Sequence, residues 1–88
     1  MTVETGAPIR VMIVDDHEVV RRGIVAVIDA DSRLSVVAEA SSVNEAKRRL
    51  PAVTPDVLVT DLQLPDGTGI DVMKAAREAN EEQLMLVL

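Results

Sequence analysis

Apolar positions along the chain come in blocks that switch between two spacings. Ile9 to Val14 is a nearly continuous apolar run rich in β-branched residues, the pattern of a strand covered on both faces of a parallel sheet. Asp15-Asp16-His17-Glu18 interrupts it, and a helical stripe follows with Val20, Ile24, Val27 and Ile28 on one face. Leu34 to Ala40 returns to alternation. Leu34, Val36, Ala38 and Ala40 share one side and Ser35 and Glu39 the other, which suits a less covered edge strand. Ser42-Val43-Asn44-Glu45 matches a capping box, and the helix it opens turns Val43, Ala46 and Leu50 inward and ends at Pro51.

Past the Pro55-Asp56 turn, Val57 to Thr60 forms a third strand, and a polar loop runs from Asp61 to Gly69 through Pro65 and the Asp66-Gly67 turn. Thr68 or Gly69 caps a helix whose inner face is Val72, Met73, Ala76 and Ala79, and Leu84 to Leu88 is the last strand. Residues 1–8 show no periodicity and read as a flexible lead-in to a single domain over 9–88. Strand and helix alternating in this way predict an α/β fold, an open parallel sheet built from βα units.

Composition narrows the function. A net charge of −6 opposes binding to a nucleic-acid backbone or an anionic membrane, and the absence of Phe, Tyr and Trp removes any platform for stacking bases. With no Cys and a single His, neither a thiolate nucleophile nor a Cys- or multi-His metal site can be built. The apolar runs Val11–Val14 and Leu84–Leu88 are too short to span a bilayer, and no signal pattern opens the chain, so a cytoplasmic location is expected.

The chemistry gathers at two strand ends. In open α/β sheets, ligands sit beyond the carboxyl ends of the strands. Asp15 and Asp16 follow the first strand and Asp61 follows the third, so if those strands are neighbours three carboxylates converge. Such a cluster repels itself unless a cation intervenes. All-oxygen ligation by carboxylates, a backbone carbonyl and waters suits Mg²⁺ better than zinc. A carboxylate beside Mg²⁺ can attack phosphorus, and Asp61, standing alone, is the better nucleophile. No Gly-rich phosphate loop follows the first strand, which disfavours nucleotide binding. Plainer roles stand beside these: Asp16 as a helix cap, Asp15 as a solvated acid and Asp61 as a strand end. His17 is expected on the helix surface, Asp66-Gly67 in a turn, and Arg21-Arg22 and Lys47–Arg49 on solvated helix faces.

The segments Val14-Asp15-Asp16-His17-Glu18-Val19-Val20-Arg21-Arg22-Gly23 and Pro55-Asp56-Val57-Leu58-Val59-Thr60-Asp61-Leu62-Gln63-Leu64-Pro65-Asp66-Gly67-Thr68-Gly69 resemble a response-regulator receiver domain. They look most like its NarL/FixJ (LuxR-type) branch, and the resemblance runs from about Ile9 to Leu88. It implies a flavodoxin-like sheet of order 2-1-3-4-5. It further implies that Asp61 accepts a phosphoryl group from a phosphohistidine on a sensor histidine kinase. Asp15 and Asp16 would hold Mg²⁺, with Asp16 the more direct ligand; the backbone carbonyl of Gln63 would join them, and Pro65 and Gly69 would shape the loop.

The family pattern also carries a Ser or Thr where this sequence stops after Leu88, a lysine on a fifth strand, further helices, and a helix-turn-helix output domain. Lys47 and Lys74 fall on the wrong helices to replace that lysine. The chain therefore reads as an incomplete receiver of a transcriptional regulator, without its DNA-binding domain and with an apolar edge open to self-association. Two other functions compete: a dimerisation or binding fragment without chemistry, and a small Mg²⁺-dependent aspartyl phosphatase. The last is disfavoured because such enzymes carry D-x-D at the nucleophile, whereas here Asp15 and Asp16 are adjacent.

Overall fold

A computed structural model describes residues 6–88; of the expected lead-in, residues 1–5 lie outside the described residues. The β-branched run forms β1 (Ile9–Val14), followed by α1 (Glu18–Asp29), β2 (Leu34–Ala40), α2 (Val43–Val53) and β3 (Val57–Thr60). A short hairpin, β4 (Gln63–Leu64) and β5 (Gly67–Thr68), leads into α3 (Gly69–Ala79) and β6 (Leu84–Val87). The main sheet is parallel, in the order β2-β1-β3-β6, the order that the receiver-domain resemblance implies for the four predicted strands. β1 is central and covered on both faces. This flavodoxin-like arrangement sets β1 and β3 side by side with their carboxyl ends level: Val14 pairs with Thr60.

The core is divided by the sheet. Met12, Val14, Leu58, Ala38 and Ala40 pack under α2 and α3 against Ala46, Leu50, Val72 and Ala76. On the other face Val11, Ile13 and Val59 meet α1 alone, through Ile24, Val25 and Ile28. Val20 and Val27, expected inside, are exposed; Val27 keeps 74% of its surface. The reason is that α1 has no neighbouring helix among the described residues, so only its sheet-facing edge is covered. Ala79 is likewise exposed, and Ala75 takes its place against the core.

Four further local expectations change. β2 does not keep one phase, because its register against β1 shifts between Val11 and Met12 and leaves Val37 unpaired as a bulge. Val36 therefore packs with the α1 side and Ala38 and Ala40 with the α2 side. Pro51 does not end α2, which continues to Val53. Its last turn is closed by Thr54 N–H donating to Leu50 O, and the Arg10 guanidinium donates to the Val53 and Thr54 carbonyls at 2.7 Å each. Those free carbonyls at a helix end are the groups that need a donor.

The capping box at Ser42 is only half formed. Ser42 Oγ accepts from Glu45 N–H, but the Glu45 carboxylate turns back to Ser41 rather than Ser42. The other α2 donors are met from a distance, since the Asp66 carboxylate accepts from Val43 N–H at 2.7 Å and Asn44 N–H at 2.9 Å. Asp66 thus does more than turn the chain: it ties the hairpin to the start of α2. The loop expected over Asp61 to Gly69 is in fact this hairpin, with Leu64 buried beneath it. A complete capping box does exist at α3, between Thr68 and Asp71.

Candidate acid pocket at the strand ends

The pocket is assembled by the sheet ladder itself. One residue past β1, Asp15 N–H donates to Ala40 O at 3.0 Å, and one residue past β3, Asp61 N–H donates to Val14 O at 2.9 Å. Both acids are thus held as extensions of neighbouring parallel strands. Asp15 is buried, with 3% of its side chain exposed, whereas Asp16 and Asp61 keep 30% and 27%. One carboxylate oxygen from each of the three lies within 4.8 Å of the others, so the convergence expected from the sequence is present.

Asp16 is not a helix cap. The N-cap of α1 is His17, which makes no side-chain capping bond, and Asp16 is left free to face the pocket. His17 departs most from expectation. Its backbone N–H donates to Asp15 Oδ1 at 2.8 Å, and its Nδ1 stands 3.2 Å from that oxygen, 3.1 Å from Asp16 Oδ1 and 3.9 Å from Asp61 Oδ2. The hydrogen bond to Asp15, then the Asp16 charge, and less strongly the charges of Asp15 and Asp61, raise its pKa above the ordinary imidazole value. The surface position itself holds, with 66% of the side chain exposed; what differs is that the ring folds back over the acids. The sequence signal was its place directly after Asp15-Asp16.

Arg21 also departs from a solvated role. Its Nε donates to Glu39 at 2.9 Å and its Nη1 to the Asp15 carbonyl, which fastens α1 to the ends of β1 and β2. Asp61 is fixed by its own surroundings: Oδ1 accepts from Leu62 N–H at 2.7 Å, and Gly69 N–H donates to Leu62 O at 2.7 Å. Gln63 lies two residues on, exposed on β4 and paired with Thr68.

Three carboxylates at this spacing, one of them buried, form a hard oxygen donor set that fits a divalent cation such as Mg²⁺. The Asp61 carboxylate lies at the rim and is partly exposed. No helix among the described residues is long and apolar enough to cross a membrane.

The response regulator receiver domain model matches residues 11–88. The DNA-binding transcriptional activator DevR/DosR of Mycobacterium tuberculosis is 56% identical over 66 residues, covering 75% of this chain and 30% of that protein. Among solved structures, a LuxR-family two-component response regulator from Aurantimonas sp. SI85-9A1 superposes with a TM-score of 0.85 at 38% identity, over 91% of this chain and 57% of the other. The non-phosphorylated receiver domain of the stress response regulator RcsB from Escherichia coli gives 0.83 at 30% identity, over 92% and 64%. The acid pocket, the sheet order and these likenesses agree: the chain belongs to the response regulator receiver domain family, with LuxR-type regulators among its relatives.

Proposed function

We propose that the chain is a cytoplasmic phospho-accepting module of two-component signalling, with Asp61 as the acceptor and a phosphohistidine of a sensor histidine kinase as the donor. The observation that carries this reading is the Asp61 carboxylate, held at the end of β3 beside Asp15 and Asp16 yet partly open to solvent. An Asp61 carboxylate oxygen attacks phosphorus and forms the acyl phosphate bond. The P–N bond to the donor imidazole breaks, and its electron pair stays on the ring nitrogen. Asp15, Asp16, Asp61 and the backbone carbonyl of Gln63 are the groups that would hold Mg²⁺. When bound, Mg²⁺ supplies positive charge against the phosphoryl oxygens. Asp15 is kept in place by its buried setting and by the Arg21 bond to its carbonyl. The protein is a signalling module without turnover of its own, the receiver part of a transcriptional regulator that recognises DNA through residues outside this chain.

The test is incubation with Mg²⁺ and acetyl phosphate, followed by intact-mass analysis. Wild type should gain one phosphoryl group and Asp61→Asn none. A folded wild-type protein that stays unmodified refutes the reading.

A second reading, assembly through the sheet edge, is favoured by one observation: Leu84, Leu86 and Val87 lie exposed along β6, with Leu88 exposed just past it.

A further inference from the structure

The oxygen donors of the pocket are joined by one nitrogen. His17 Nδ1 lies 3.2, 3.1 and 3.9 Å from oxygens of Asp15, Asp16 and Asp61. Around a six-coordinate ion with bonds of about 2.1 Å, neighbouring ligand atoms are about 3.0 Å apart and opposite ones about 4.2 Å. The three separations fall at or within that span. Nδ1 is within reach of two different carboxylates at once. Protonated, it shares its one hydrogen between them; deprotonated, it turns its lone pair toward the same space as their oxygens, which is the arrangement of a nitrogen ligand beside oxygen ligands.

A further observation comes from the buried acid. Asp15 is almost wholly enclosed, and among the described residues its carboxylate receives hydrogen bonds only from His17, both at Oδ1. Oδ2 has no donor there. A buried carboxylate oxygen without a donor is costly unless a cation meets it.

We infer that His17 makes the pocket a mixed nitrogen and oxygen site, which takes Ni²⁺-class transition ions through His17, Asp15, Asp16 and Asp61, while Mg²⁺ is held through oxygen alone. This rests on the reading of the pocket as a divalent-cation site. Imidazole suits Ni²⁺ and its neighbours, whereas Mg²⁺ prefers oxygen and sheds water reluctantly. His17 is thus a metal-specificity residue, and transition ions compete with Mg²⁺ for the same three acids.

The chain suits the test because His17 is its sole histidine, so any imidazole ligation in the tag-free protein belongs to it. The substitution His17→Ala is also mild for the fold, since the side chain is 66% exposed and makes no capping bond. Wild type and His17→Ala would be titrated with NiCl₂ and with MgCl₂ by calorimetry and amide NMR, with spectral dispersion verifying the fold. Ni²⁺ affinity should fall roughly tenfold or more in the variant, with Mg²⁺ affinity kept within about twofold. The His17 ring signals should broaden with Ni²⁺ in wild type. Equal losses for both ions, or no loss for Ni²⁺, overturn the inference while leaving the Mg²⁺ site intact. Mg²⁺ without effect on the amides of Asp15, Asp16 and Asp61 in folded wild type overturns the underlying reading instead.

Discussion

A methyl group on Gly69 would sit 2.2 Å from the Asp61 carbonyl oxygen, inside any allowed contact distance, and that oxygen is backbone with little room to retreat. The absence of a side chain at the start of α3 is therefore what lets the helix close against the loop that follows β3. Gly69→Ala should cost about 1–3 kcal/mol, the range of an overpacked core site. It should also move the Asp61 and Leu62 amide resonances, because the Gly69 N–H bond to Leu62 O is made across the same contact. Chemical denaturation with a two-dimensional amide spectrum measures both, and a variant as stable as wild type with Asp61 unmoved refutes the packing argument. The convergence of the acids was legible: their place after two apolar β runs puts them at neighbouring strand ends. His17 and Arg21 were not, because their roles depend on which way a long or aromatic side chain folds, which residue spacing does not encode.

Among the elements, α1 is the least supported. It packs through Ile24, Val25 and Ile28 without one fully buried residue, and it carries Gly23 in its middle. A Cβ at Gly23 would meet nothing within 4 Å, and the backbone there is ordinary helix. Gly23→Ala should accordingly stabilise the protein by roughly 0.5–1 kcal/mol, seen as a higher denaturation midpoint; a lower midpoint counts against the described packing of α1. The start of α2 supplies a pH test. The Asn44 and Val43 N–H groups donating to Asp66 lower its pKa below the ordinary carboxylate value. Its contribution is then fully present above the unfolded value of about 3.9 and is lost as pH falls through the lower folded value. Asp66→Asn should melt a few degrees below wild type at neutral pH, with the gap closing in strong acid. A gap that stays constant with pH would show that the bond is not linked to ionisation.

Periodicity identified all the main elements, but not what holds their ends. The reach of Asp66 to α2 spans 22 and 23 residues, and that of Arg10 to the α2 carboxyl end spans 43 and 44. A local pattern cannot show contacts at that range. The same limit applies to Pro51: it lies inside α2 without an N–H to donate, yet the helix runs on to Val53 because Thr54 N–H reaches Leu50 O and the distant Arg10 meets the end carbonyls. The bulge at Val37 reverses which side of β2 faces which helix, and no residue type in the alternating run announced it.

For the molecule as a whole, the balance lies between a net charge of −6, which keeps chains apart, and an edge strand with no charge from Leu84 to Leu88. If the edge wins, sedimentation should show association that grows with concentration and salt. Leu86→Lys, which puts a charge on the exposed strand, should reduce it at least severalfold. A wild-type chain that stays monomeric at high concentration removes the assembly reading.

The ladder bonds from Asp15 N–H and Asp61 N–H have a further consequence. The carboxyl groups of these two residues face the pocket, but their amide protons are locked between neighbouring strands at the centre of the sheet. Exchange of those protons with solvent deuterium requires the strand ends to separate, so their rates should follow opening of the central sheet and not motion of the loops around it. The lifetime of the assembled pocket can therefore be timed from within the pocket, by two clocks that run whether or not a cation or a phosphoryl group is present.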